Sequence, residues 1–381
     1  MRVVVAPDSF KGSMTSPEAA RAMALGVADA GDHDVLEVPL ADGGEGTLDA
    51  LLRAAGGTRE TVRVRGPLGE ERAAELGYLP DGTAVVEMAR ASGLELIPPH
   101  RRDPLVTTTC GTGELILHAI RRGARRVLVA LGGSGTVDGG AGAATALGFR
   151  LLDARGEDIP PGGRGLLALS EIDDSGVPPA VREVEVLVAC DVDNPLLGER
   201  GAARVFGPQK GASPEALRLL EEGLGRLAEL LRRYAGRDVA DLPGAGAAGG
   251  LGAGLAGLLG ARLLPGIELI LDAVDFDRLL VGADLLLTGE GRIDAQTLYG
   301  KAPYGAARRA RGRGIPVIGL AGSLGPGAEG CIGPHCFDSV FSIVPGPVTE
   351  EEAVARGREF LRQASRRVVA AFMAGRDRGE H

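Results

Sequence analysis

Within seventeen residues the stretch Val127–Ala143, VLVALGGSGTVDGGAGA, turns from a continuous apolar run into a segment dense in glycine and then into small apolar residues. The pattern reads as a buried strand over Val127–Leu131, a glycine-rich turn, and a helix over Ala141–Leu147. Glycine has no Cβ, so such a turn lets backbone N–H groups and a helix N-terminus come close to an anion, and the helix dipole favours negative charge there. Ser134 and Asp138 add the hydroxyl and the carboxylate that a nucleotide-bound Mg2+ needs. A phosphate-binding turn and a tight turn without a ligand both fit the glycines. Either way, a strand–turn–helix unit directs the chain towards an α/β fold.

The unit recurs along the chain. Arg2–Ala6 reads as a strand ending in a loop with Asp8, Ser9 and Lys11, followed by a helix to about Ala30 capped by Thr15 or Ser16. Val35–Leu40 is a second strand, delivering Asp42 and Glu45 in a glycine-bearing loop before the helix Leu48–Ala55. In an open parallel sheet, ligands bind at that carboxyl edge. From Thr61 to Met88 short strands and turns alternate in an antiparallel texture, which suggests a second domain. A threonine-rich loop, Thr107–Thr109, leads to a helix over Leu115–Arg122, and Val184–Ala189 is a strand ending at Asp191. Lys210 lies in a turn before a helix capped by Ser213, and Ala283–Thr288 is a strand running into Glu290, Arg292 and Asp294. A helix near Tyr304–Arg311, strands at Pro316–Ala321 and Val340–Val344, and a C-terminal amphipathic helix burying Phe360, Leu361, Ala364, Val368 and Phe372 complete the chain. At 381 residues two domains are expected. The alternation predicts a parallel-sheet domain built from 1–65 and 283–381, interrupted by a mixed α/β domain over 66–282, with the active site in a cleft between them.

Composition narrows the function. Aromatic residues are 3% of the chain with no Trp, and the net charge is -9, so base-stacking recognition and a nucleic-acid partner are not expected. No apolar run approaches the roughly 18 residues a spanning helix needs, and MRVVVAPDSF enters a polar loop rather than a signal-peptide core, so a cytoplasmic protein without a membrane partner is expected. Four cysteines are too few and scattered for a disulfide scaffold, and Cys331, His335 and Cys336 lack a second ligand pair for zinc. Two GxGxxG matches, at Gly244–Gly249 and Gly252–Gly257, follow no strand and so point to close helix packing or a mobile loop rather than to a dinucleotide site. An NAD-dependent oxidoreductase is accordingly the weakest reading. Of 42 basic residues only Lys11, Lys210 and Lys301 are lysines, each near a glycine in a turn-like context, as if those positions require a compact ammonium. A P-loop, the protein-kinase motifs and a serine nucleophile elbow are all missing. What remains, carboxylates, glycines and lysines in loops after strands, is the inventory of phosphoryl transfer.

These loops carry a resemblance. APDSFKGS, LADGGEGT, GGSGTVDGGAG, ACDVDNPLLG, FGPQKGA, GAGAAGGLGAGL, LLTGEGRIDAQTLYGKAP and GLAGSLG, in this order and over almost the whole length, resemble the bacterial class I glycerate kinases. The resemblance implies transfer of the ATP γ-phosphoryl group to a hydroxyl of D-glycerate with Mg2+, commonly giving 2-phosphoglycerate. It also implies a flavodoxin-like (Rossmann-type) domain formed by both chain ends and an inserted α/β domain. The sequence departs from the family pattern GGSATNDGG at Gly135 and Val137. By the chemistry of their side chains, Asp191 is expected to be the base, and Lys11, Lys210 and Arg292 to meet the substrate carboxylate and the moving phosphate. Asp8, Ser9, Asp42 and Glu45 join Arg292 on the substrate side, and Asp42, Glu290 and Asp294 are candidates for Mg2+. Gly133, Ser134, Gly135, Asp138, Gly139 and Lys301 are expected to bind the nucleotide phosphates. A kinase for another small hydroxy acid, or a nucleotide-binding regulatory protein without turnover, are the alternatives, and the oligomeric state is left open.

Overall fold

The structure, a computed structural model, describes residues 1–41, 43–44, 46–298 and 300–379, the last three by backbone alone. Its strands are β1 (Arg2–Val5), β2 (Asp34–Glu37), β3 (Thr58–Arg65), β4 (Glu71–Tyr78), β5 (Ala84–Glu87), β6 (Arg126–Ala130), β7 (Arg150–Leu152), β8 (Glu171–Asp173), β9 (Glu185–Ala189), β10 (Arg262–Leu264), β11 (Leu285–Ile293), β12 (Val317–Leu324) and β13 (Ser339–Ser342). They fall into two compact units. One comprises Met1–Asp42, Asp49–Gly56 and Ile267–His381, and the other Gly43–Leu48 and Gly57–Gly266.

The first unit is organised on a five-stranded sheet in the order β13-β12-β11-β1-β2, parallel throughout. Counted in the order the chain visits them, this is 2-1-3-4-5, the flavodoxin-like arrangement, whose ligand site lies beyond the carboxyl ends of the strands where the order reverses. Val3, Val4 and Val5 are fully buried, as are Leu285, Leu286 and Leu287, because a parallel sheet covered on both faces needs continuous rather than alternating apolar runs. The helix Ser16–Ala28 starts with a capping box between Thr15 and Glu18, and it packs on the C-terminal helix Gly357–Gly379. Gly26 permits that contact, since a Cβ there would fall 2.2 Å from the Arg362 carbonyl oxygen. Phe360, Leu361, Ala364 and Val368 are buried in the shared core as their spacing predicts, and Phe372 packs partly buried against it. Thr349 caps a separate short helix, Glu350–Ala355, rather than the C-terminal helix itself.

The second unit holds a six-stranded mixed sheet, β10-β9-β6-β5-β4-β3, in which β5, β6, β9 and β10 are parallel and β3, β4 and β5 antiparallel. A small antiparallel pair, β7 with β8, stands apart. The division between the units differs from the sequence boundaries. β3 pairs along its whole length with β4, so 58–65 lies in the second unit, while the helices Gly266–Ala273 and Phe276–Leu279 lie largely in the first. Among the described residues no helix is long and apolar enough to cross a membrane.

Candidate active site

In the second unit, β6 delivers the glycine-rich turn, and its interior half is built for packing. Gly139 and Gly140 have φ of +62° and +81°, and a Cβ on Gly139 would meet Leu227 Cδ2 at 2.1 Å. The second glycine-rich segment lies directly against it. Ala248, Gly249 and Gly250 are all left-handed, the Gly139 amide donates to the Gly249 carbonyl at 3.0 Å, and a Cβ on Gly249 or Gly254 would fall 2.0 Å from Thr136 O or 2.3 Å from Gly139 O. Both GxGxxG matches therefore serve backbone-to-backbone packing, one of the two roles expected of them. Asp138 is fully buried and its two oxygens are taken up internally, by the amides of Thr109 (2.8 Å), Gly140 (3.1 Å) and Gly142 (3.2 Å) and by the Thr109 hydroxyl (2.9 Å). Burial pushes the Asp138 carboxyl up, and these donors pull against it. It ties the threonine-rich loop to the turn rather than facing solvent, and the cue to this partnership was the run of three threonines.

Lys210 is buried too, at 2% exposure, with Nζ donating to Ser134 Oγ at 2.6 Å and to the Thr136 carbonyl at 2.8 Å. Burial pulls its ammonium down to about 7, with the charge of Asp138 opposing. The open part of the turn is Gly133, exposed, and Ser134, half-buried, whereas Gly135 is buried. Gly43–Leu48 packs beside it. Gly43 O accepts from the Gly132 amide at 3.3 Å, a Cβ on Gly43 would sit 3.0 Å from Ala189 Cβ, and the Leu48 amide donates to Glu87 Oε1 at 2.9 Å. This brings the chain flanking Asp42 and Glu45 to the carboxyl ends of β5, β6 and β9, although Asp42 and Glu45 themselves lie outside the described residues. Asp191 stands exposed at the same edge, its Oδ1 accepting from the Gly266 amide at 3.1 Å. Glu87, the buried terminal residue of β5 and a partner of Arg90, is a site-edge acid that the sequence reading passed over. Its signal was the acid closing the apolar run AVVE.

In the first unit the carboxyl edge collects Asp8, Ser9, Lys11, Glu290, Arg292, Asp294 and Lys301. The Asp8 amide donates to Gly289 O at 2.8 Å, and Gly291 passes so close to the turn that a Cβ would lie 3.2 Å from the Lys11 backbone nitrogen. Lys11 is exposed and lines a cavity of about 580 Å³ together with Ser13, Ser323 and Ser342. Ser9 accompanies Asp8, its amide donating to Asp8 Oδ1 at 2.6 Å. Glu290 is 6% exposed and both its oxygens are engaged, by Thr297 Oγ1 at 2.7 Å and Lys301 Nζ at 2.9 Å. Burial pushes its carboxyl up while Lys301 and Thr297 oppose. Lys301 is thus held by Glu290, and Arg292 by Asp294 at 3.1 Å.

A family model described as "Glycerate kinase family" matches residues 3–373. The chain belongs to the glycerate kinase family. A glycerate kinase of Halalkalibacterium halodurans is 49% identical, covering 96% of this chain and 97% of the relative. An Escherichia coli K12 protein named glycerate 2-kinase is 46% identical over 98% and 99%. A crystal structure from Salmonella typhimurium LT2, assigned to glycerate kinase 2, superposes with a TM-score of 0.89 at 47% identity, covering 99% of both chains.

The protein is accordingly an enzyme, a kinase. Within this kinase the two departures from the family pattern are interior. Val137 is fully buried in the core of the second unit, and a Cβ at Gly135 would meet Ile97 Cδ1 at 2.6 Å, so glycine there accompanies isoleucine at 97. Among the described residues no cluster of three metal-ligating side chains exists. Mg2+ usually needs only one or two carboxylates beside substrate phosphates. Glu290 and Asp138 do not fit that role, because their oxygens are already engaged.

Proposed function

We propose that the kinase transfers the γ-phosphoryl group of ATP to D-glycerate in the cytoplasm, giving 2-phosphoglycerate. The observation that carries the reading is the open pair Gly133–Ser134 in the turn, backed by a buried lysine at the carboxyl edge of a sheet, in a chain of this family. The 2-position is favoured by the name of the E. coli relative. Mg2+, held by the nucleotide phosphates with Asp42 or Asp294, would neutralise charge on the transferring group. Asp191 accepts the glycerate hydroxyl proton as that oxygen bonds to the γ-phosphorus and the bond to the β-phosphate oxygen breaks, releasing ADP. Lys11, exposed beside its cavity, and Arg292 bind the glycerate carboxylate, and Gly133 and Ser134 bind nucleotide phosphate. The test is incubation with MgATP and D-glycerate, following ADP release and identifying the product by phosphorus NMR. A signal for 2-phosphoglycerate is expected, a 3-phosphate would correct the position, and no ADP release above background would refute the reading.

A further inference from the structure

A lysine buried to 2% exposure is costly unless it has a task, and the hydrogen bonds of Lys210 Nζ to described residues go to Ser134 Oγ and the Thr136 carbonyl. Because Nζ donates to Ser134 Oγ, an oxygen lone pair is occupied and the hydroxyl proton is turned away from the lysine. Ser134 is half-buried and Gly133 exposed, so that proton has an open side to meet. The amides of Gly133 and Ser134 also have no acceptor among the described residues, although their neighbours do. The Gly132 amide donates to Gly43 O and the Gly135 amide to Ser92 O. Three donors on two adjacent residues, with a cation one hydroxyl behind them, match a tetrahedral oxyanion.

We propose that Lys210 is a positioning residue that acts through Ser134, fixing its hydroxyl as a donor so that Ser134 Oγ and the amides of Gly133 and Ser134 form a three-donor cradle for a phosphate-type anion. That the anion is a nucleotide phosphoryl group rests on the kinase reading. The cradle itself does not. The two acceptors around Nζ suit the two N–H groups of a neutral amine, and the ammonium form adds a full positive charge behind the cradle. With the lysine drawn down to about 7, anion affinity falls as pH rises through neutrality. The charge acting on Nζ is that of Asp138, from the turn itself, while Arg102, whose backbone packs on Gly211, directs its guanidinium to Ile97 O.

Sulfate tests the cradle without turnover, because it keeps one charge state between pH 6 and 8. Its binding is read from the amide resonances of Gly133 and Ser134 at constant ionic strength. In the unaltered protein both amides shift on titration, and sulfate affinity falls about tenfold from pH 6 to 8. Lys210→Met weakens binding and makes it flat with pH, and Ser134→Ala weakens it by about tenfold. At pH 8, where the lysine is neutral and only its hold on the hydroxyl remains, Lys210→Met has less than about a threefold further effect in the Ser134→Ala background, since there the two act as one. If Lys210→Met does not fold, the pH dependence in the unaltered protein and the tenfold loss in Ser134→Ala still decide the matter. Amides that do not shift, a pH-independent affinity, or additive effects of the two substitutions at pH 8 would overturn the cradle. A protein that passes this test without releasing ADP from glycerate loses the kinase reading alone, and one that phosphorylates glycerate but fails it loses the cradle alone.

Discussion

Replacing Asp138 tests whether the glycine-rich turn is held by this carboxylate. In Asp138→Ala the amides of Thr109, Gly140 and Gly142 lose their acceptor in a site with no exposure. Each orphaned donor costs about 1–3 kcal/mol, and relief from burying the carboxylate returns part of it, so the net loss is about 3–6 kcal/mol. Against a typical stability of about 5–15 kcal/mol this is a large share of what holds the unit together. Asp138→Asn is milder, because one amide oxygen can keep Thr109 and Gly142 while its NH2 group faces the Gly140 amide, leaving one orphan and a loss of about 1–3 kcal/mol. Urea unfolding followed by circular dichroism measures the two losses. Hydrogen exchange at Thr109, Gly140 and Gly142 locates them, which matters in a chain of two units. Equal losses below about 1 kcal/mol in both variants, or unchanged protection of those three amides, would refute the assignment.

Asp191→Asn should lower kcat by about a hundredfold or more with the fold intact by circular dichroism, and a drop below about tenfold would remove Asp191 as the base. Val137→Asn, which restores the family pattern, places an amide at a fully buried position and should cost about 1–3 kcal/mol in urea unfolding without raising kcat. Two glycine substitutions should move melting temperature in opposite directions. Gly249→Ala forces a Cβ to within 2.0 Å of Thr136 O at a φ of +67° and should destabilise by more than about 3 kcal/mol, whereas Gly225→Ala, in open space within the helix Pro214–Ala235, should stabilise by about 0.5–1 kcal/mol. Lys301→Met pushes the buried Glu290 carboxyl further above its ordinary value of 4.5 and should lose about 1–2 kcal/mol at pH 7. Because a raised folded-state pKa favours the protonated carboxyl, that loss should shrink as pH is lowered through the Glu290 pKa towards 4.5, which urea unfolding across that range measures.

Much of the architecture is legible in the chain because it is local. Continuous apolar runs such as Val3–Val5 and Leu285–Leu287 announce strands buried on both faces, and Thr15 with Glu18 or Ser213 with its following proline announces where helices begin. The boundary at 58–65 was not legible, since β3 has the same period whichever sheet receives it and only its pairing with β4 decides. Site chemistry divides in the same way. The loops after β1, β6, β9 and β11 could be named as bearers of chemistry because glycine, acid and lysine gather at strand ends.

The sequence by itself determined that Val127–Ala143 makes a strand, a glycine-rich turn and a helix, since backbone freedom and side-chain period are properties of neighbouring residues. Only the tertiary structure decided what the turn's polar groups are for. Asp138 faces Thr109 across 29 residues, Lys210 reaches Ser134 across 76, and Gly249 closes on Thr136 from a distant segment. The charge on a side chain is written in its letter, but whether that charge meets a ligand or a buried amide depends on what the folded chain brings beside it, because burial and partners set the cost of each alternative.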